Sequence, residues 1–171
     1  MMRRLRWFVP VAATAVLTLA LFGQAGRGKT EIDTAAGKIT IDYGRPELKG
    51  RDPLTWQKDG SYWRMGMNET TTLTTPVDLL FGSAQIAKGT YSLWLLKAGA
   101  DSYDLVVNSR VDPHGMTHDG TKDVAAVRLK KEATSEAAEV LTIQLQPAPR
   151  GGTFVMTWGT IRLSAGFQVA R

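Results

Sequence analysis

The sequence contains no cysteine. Without a thiol there is no disulfide staple, no thiolate metal site, no cysteine nucleophile and no lipid anchor on a cysteine. Histidine is nearly as scarce: His114 and His118 are the two in 171 residues. No Gly-x-Ser-x-Gly elbow and no phosphate-cradling glycine loop occurs, so the usual parts of nucleophilic and nucleotide chemistry are missing. A charge surplus is lacking too. The chain carries 21 Lys and Arg against 16 Asp and Glu. Arg3, Arg4 and Arg6 stand at the extreme N-terminus, and beyond them the count is 18 against 16. A near-neutral body has no electrostatic reason to bind nucleic acid or an anionic membrane.

Those three arginines open a recognisable segment. They precede an apolar run from Trp7 to Phe22, interrupted by Pro10, and Gly23-Gln24-Ala25 then supplies the small residues a signal peptidase reads. This order predicts a signal peptide over residues 1–25 and export to the periplasm or beyond. The run is shorter than the ~20 residues a membrane span needs; an uncleaved signal anchor is the alternative. Residues 26–35 read as a flexible lead-in and 36–171 as a single domain, long enough to bury one core without staples.

Short alternating segments fill that domain. "KITIDY" puts Ile39, Ile41 and Tyr43 on one face, "PVDLLF" does so with Val77, Leu79 and Phe81, and "SYDLVV" with Tyr103, Leu105 and Val107. "EVLTIQLQ" repeats the pattern with Leu141, Ile143 and Leu145, and "GTYSLWLLK" is apolar on both faces, as a central strand would be. Period-2 patterning with one apolar face marks half-buried antiparallel strands. Eight or nine of them without βαβ spacing predict an all-β fold, an antiparallel β-sandwich of jelly-roll or immunoglobulin-like type. In "TFVMTWGTIRLS" the phase changes after Trp158, which predicts a bulge at Gly159-Thr160 or a Gly-Thr turn. Two long loops stand out, 44–60 and 108–123. "KKEATSEAAE" (130–139) has the composition for a turn of helix, but no apolar stripe.

The stretch "WRMGMNETTTLTT" (63–75) reads as a strand with charges in it. A regular strand puts Glu69 in the core-facing row with Trp63, Met65, Met67, Thr71 and Leu73. A bulge at Gly66 would turn Asn68 inward instead. A buried carboxylate needs a cationic or hydrogen-bonding partner, and Arg45, Arg51, Arg64 and Arg162 are within the chain's reach. The expectation is a polar knot of Glu69, Asn68 and at least one arginine. It would either tie the 44–60 loop to the sheet or present a fork to a small anionic or polyhydroxylated ligand.

"KITIDYGRPELKGR", "WRMGMNETTTLTT", "AKGTYSLWLL", "VVN", "DV" and "FVMTWGTIRL", in that order, resemble the bacterial family called domain of unknown function 2911, over residues 36–165. The resemblance implies an exported single-domain β-sandwich with no known activity. Its motif positions fall on Tyr43, Arg45, Pro46, Lys49, Gly50, Arg51, Trp63, Arg64, Gly66, Asn68, Glu69 and Thr70. Gly44 stands where the family usually has serine, and Gly159-Thr160 replaces a Glu-Asn pair.

His114 and His118, four apart among Asp112, Asp119 and Asp123, would suit a metal on a helix, but Pro113 and Gly115 oppose a helix and an exposed polar loop is the simpler reading. Trp63, Trp94 and Trp158 read as core and rim, whereas Trp56, in a polar loop, is a binding candidate if exposed. The resulting expectation is a non-enzymatic envelope module that binds a small polar ligand or an envelope protein and takes no cofactor. Its ligand-binding candidates are Tyr43, Arg45, Lys49, Arg51, Trp56, Trp63, Arg64, Asn68 and Glu69. The alternative is a hydrolase or isomerase with Glu69 as general base.

Overall fold

Residues 26–170 are described by a computed structural model; the predicted signal segment lies outside the described residues. The alternating segments are strands, and the whole is all-β. Among the described residues there are ten: β1 (Arg27–Thr34), β2 (Gly37–Gly44), β3 (Tyr62–Trp63), β4 (Thr72–Thr75), β5 (Leu79–Phe81), β6 (Ala84–Ile86), β7 (Gly89–Gly99), β8 (Ser102–Asn108), β9 (Asp123–Ala148) and β10 (Gly151–Val169). The count exceeds eight or nine because the two-residue β3 and the three-residue β6 are too short to show a readable alternation.

Every pairing is antiparallel, in the order β1-β2-β4-β7-β8-β9-β10-β5-β6, with β3 added on β7. Strand β7 is central, as its two apolar faces required. Strand β9 is shared: residues 123–129 pair with β8 and residues 130–148 with β10. The path therefore folds over. Ile39, Ile41, Leu73, Leu93, Leu105 and Val107 on one side meet Leu79, Phe81, Leu145, Phe154 and Phe167 on the other in one apolar core. This arrangement is compatible with a sandwich, and each fully buried aliphatic side chain contributes roughly 1.5–3 kcal/mol to it.

Three sequence expectations are corrected. Residues 26–35 are not a flexible lead-in, since Arg27–Thr34 pairs along its whole length with β2. Its alternation is hidden because Ile32 is its one large apolar residue. Residues 130–139 are not helical; tertiary pairing with β10 overrides their propensity. The segment 63–75 is not one strand, for a reason given below. The predicted bulge is present: the register of β9 and β10 shifts on both sides of Gly159, whose φ is +58°.

The free edge of β9 fixes where the 44–60 loop lies. Leu141 N–H donates to the Pro46 carbonyl (2.9 Å), the Ile143 backbone bonds the Tyr43 hydroxyl, and Leu145 N–H donates to Thr30 Oγ1 (2.9 Å). Leu48 N–H donates in turn to the Glu139 carbonyl (2.8 Å). A strand edge must have its donors satisfied or covered. Here the start of the loop and two side chains do it.

Candidate functional site

Between β3 and β4 the chain turns rather than extends. Met65 (φ 48°) and Asn68 (φ 63°) both adopt left-handed backbone conformations, and each breaks the period-2 phase. Met65 is driven inward, and Thr71 Oγ1 closes the turn by donating to its carbonyl (2.8 Å). Glu69 is thrown outward. Its carboxylate is 66% exposed, and its one ion-pair contact among the described residues is Arg27 at 4.0 Å. The expected knot of Glu69 and Asn68 with Arg45, Arg51, Arg64 or Arg162 does not form.

The arginines go to separate places. Arg45 lies with Tyr43 across β1, so close that a Cβ on Gly28 would stand 2.8 Å from Arg45 Cδ. Arg51 turns back on its own loop, Nε to the Leu48 carbonyl (3.0 Å) and Nη2 to the Glu47 carbonyl (3.4 Å). Arg162 pairs with Glu132 at 2.6 Å. Lys49 is exposed; its backbone N–H meets Glu139 Oε1 (2.8 Å) and its Nζ approaches Glu47 (3.9 Å). Tyr43 is buried, which raises its hydroxyl pKa above the ordinary tyrosine value.

Arg64 holds the other long loop. Its Nη1 donates to the His114 carbonyl (2.9 Å) and approaches Met116 Sδ (3.3 Å). Thr70 adds its backbone N–H to the Pro113 carbonyl (3.1 Å) and its hydroxyl to the Asp112 carbonyl (2.5 Å). The hub beneath is Asn108, buried, whose Oδ1 accepts from Arg110 N–H (2.9 Å). Its Nδ2 donates to the Asp119 carbonyl (2.8 Å) and to Asp123 Oδ1 (2.8 Å). The same Asp123 oxygen meets His118 Nε2 at 2.8 Å. The His118 ring is stacked on Tyr62 (3.7 Å between centroids, 13° between planes) and edge-on to Trp94 at 5.3 Å. Trp94 Nε1 in turn donates to Ser92 Oγ (3.0 Å). Asp112 is held below the usual carboxylate range chiefly by the His114 backbone N–H, and Asp119 by the Thr121 hydroxyl. Loop 108–123 is thus a closed cover over the outer face of the sheet, with Trp94 beneath it. His114 stays exposed, and no group of three or more potential metal ligands gathers among the described residues.

On the opposite face of β3 the chemistry differs. Trp63 stacks on buried Trp158 (5.4 Å, 19°), and Trp56 stands edge-on to Trp63 (5.6 Å, 88°). Trp56 is 54% exposed. The loop carrying it is pinned where Pro53 rests on Gly159: a Cβ there would be 2.6 Å from Pro53 Cγ. Lys49 (φ 52°) and Leu54 (φ 59°) hold left-handed conformations, which are strained for residues with a Cβ. Gln57, 1% exposed, donates through Nε2 to the carbonyls of Ser61 (3.0 Å) and Leu95 (2.9 Å). Its Oε1 and the Nε1 of Trp158 are buried without a hydrogen-bond partner among the described residues.

Of the sequence candidates, the structure brings Trp56 and Trp63 together and leaves Arg64, Asn68 and Glu69 outside that corner. Gln57 and Trp158 join it, and neither carried a readable signal beyond lying beside Trp56 or the bulge. A groove of about 530 Å³ lies elsewhere, floored by Gly151, Gly152 and Gly166 near Arg150. It contains none of the candidates and no buried orphan polar atom.

No curated protein and no solved structure matches this chain. A family model described as "Protein of unknown function (DUF2911)" matches residues 26–167, which spans every described strand but the last residues of β10. The chain belongs to that family.

Proposed function

We propose that the protein is an exported, non-enzymatic binding module of the cell envelope whose ligand rests on Trp56. The observation that carries this reading is a half-exposed indole on the 44–60 loop held edge-on against Trp63, which is itself stacked on buried Trp158. Exposed aromatic faces at rigidly supported loop positions are the usual anchors of binding sites. The network around Arg64, Asn108 and His118 has its hydrogen-bonding groups paired with one another, so it serves as a brace. Glu69 stands on an exposed turn, which gives a general base no enclosed substrate to act on. Export is supported by the order of Arg3, Arg4 and Arg6, an apolar run and the small residues Gly23 and Ala25 in the N-terminal segment.

The test is thermal-shift and tryptophan-fluorescence screening of the mature chain against metabolite, glycan and peptide panels, beside Trp56→Ala. A compound that raises the melting temperature of the wild type and not of the variant supports the reading. Compounds that act equally on both place the ligand elsewhere and overturn it. Fractionation of the tagged full-length chain in a bacterial host tests the compartment: a shortened product in the periplasm is expected, and a full-length cytoplasmic one refutes export.

A further inference from the structure

Four methionines lie among the described residues. Met65 and Met156 are fully buried, Met67 is half-buried, and Met116 is 79% exposed. Within loop 108–123 the Met116 sulfur meets a guanidinium: Arg64 Nη1 approaches Sδ at 3.3 Å while donating to the His114 carbonyl at 2.9 Å. Both contacts run through Nη1. A guanidinium carries five N–H groups in a fixed fork, so Arg64 has donors in hand for a further oxygen. The backbone beside the sulfur is fixed. Gly115 is buried, and a Cβ on it would overlap Thr70 Oγ1, which itself donates to the Asp112 carbonyl. The segment cannot sink inward, and the Met116 side chain is held on the outside of the cover. A thioether is a weak acceptor, whereas the other ties of this loop end on carbonyl or carboxylate oxygens.

We propose that Met116 is a site of oxidation by hydrogen peroxide, and that Arg64 receives the sulfoxide oxygen and so tightens the cover formed by loop 108–123. The sulfur attacks one peroxide oxygen, and an S–O bond forms as the O–O bond breaks. Sulfur gives up two electrons and the peroxide takes up two. The proton of the transferred hydroxyl passes to the departing hydroxide, which leaves as water. The product carries a polar S–O group where a weak acceptor stood. A hydrogen bond with one ionised partner is roughly twice as strong as a neutral one. The methionine side chain is unbranched, with three rotatable bonds, and being exposed it can turn the new oxygen onto the guanidinium. Met65 and Met156 are out of the oxidant's reach while the chain is folded. Trp56 plays no part in this, so the proposal stands or falls apart from the ligand seat.

The test treats the purified protein with graded hydrogen peroxide, reads each methionine by peptide mass mapping, and follows hydrogen exchange over residues 109–122. Met116→Leu and Arg64→Leu are run beside the wild type. Met116 should gain its oxygen ahead of Met67 and about tenfold faster than Met65 or Met156, whose reaction waits on opening of the structure. Amides of residues 109–122 should then exchange about fivefold more slowly in the wild type, and peroxide should bring no such slowing in Met116→Leu. In Arg64→Leu, oxidation should also bring no slowing. That comparison is made within the variant, so a loop loosened by the substitution does not obscure it. Exchange that is unchanged or faster in the oxidised wild type would show that the oxygen finds no donor, and the proposal fails. It fails equally if Met67 reacts ahead of Met116. Slowing that persists in Arg64→Leu would give the oxygen to another donor and overturn the role of Arg64.

Discussion

Strand β3 has two residues and two different neighbourhoods. Tyr62 faces a region in which the polar side chains of the loop are matched: Arg64 to backbone carbonyls, Asn108 with one acceptor and two donors in use, His118 to Asp123. Trp63 faces a region in which a buried amide oxygen and a buried indole N–H are left over. Completed hydrogen-bond networks rigidify and specify a fold, whereas unmatched buried groups carry a free-energy cost unless something else satisfies them. Charge density is thus a poor guide to the site in this chain. The charged stretch 63–75 holds the 108–123 loop, and the neutral corner is the better candidate for ligand.

The contrast can be broken or sharpened by mutation. The largest effect is expected for Asn108→Leu, which keeps the volume of the hub and strands the Arg110 N–H. It should cost about 3 kcal/mol in denaturant unfolding and expose residues 109–122 to hydrogen exchange. A loss below about 1 kcal/mol would show that the network is ornamental. Next comes Gly159→Ala, which combines a φ of +58° with a Cβ 2.6 Å from Pro53. The expected cost is about 1–2 kcal/mol, with faster exchange over residues 49–57 and none over 109–122. Coupled loosening of both loops would mean that β3 does not separate them.

Acid should also separate the two sides. Asp112 and Asp119 have folded pKa values below the ordinary one because they accept hydrogen bonds from the His114 N–H and the Thr121 hydroxyl. Their stabilisation is present above the unfolded carboxylate pKa of about 4 and is lost as pH falls through the lower folded values. Loop 109–122 should therefore gain exchange below about pH 4 before residues 50–57 do, since the Pro53 contact and the Gln57 amide that hold that segment do not titrate there. Glu31, lowered to about 2 by Lys29 and then Lys38, stays ionised beside Lys38 of β2 over most of the same range. Exchange that rises equally in both loops would place the acid-sensitive groups elsewhere. The smallest effect is expected for Glu69→Gln, which should leave the melting temperature unchanged, as befits an exposed carboxylate. A marked drop would restore the polar knot that the structure does not show.

Much of the fold was legible because its signals are local. Ile39, Ile41 and Tyr43 alternate with polar residues, and the phase change after Trp158 can be seen within a dozen residues; both became structure as read. Strand β1 was missed because polar residues populate both of its faces, leaving Ile32 as the lone large apolar side chain. The stretch 130–139 was misread because its composition favours helix, while its partner in β10 lies some thirty residues away. Half of the candidate site was also legible: Trp56 was marked by its polar surroundings and Trp63 by its motif. Glu69 was misplaced because two left-handed residues, neither of them glycine, shift the phase before it.

The sequence alone determined an all-β chain without thiol chemistry, its central strand, its bulge and an aromatic residue set in a polar loop. Each follows from composition or from periodicity over neighbouring residues. Only the tertiary structure decided that Arg64 holds the 108–123 loop, that His118 serves Asp123, and that Gln57 and Trp158 are left with unmatched atoms. Hydrogen-bond partners such as Arg64 and His114 stand fifty residues apart, and no local pattern encodes which distant carbonyl a side chain will find or fail to find.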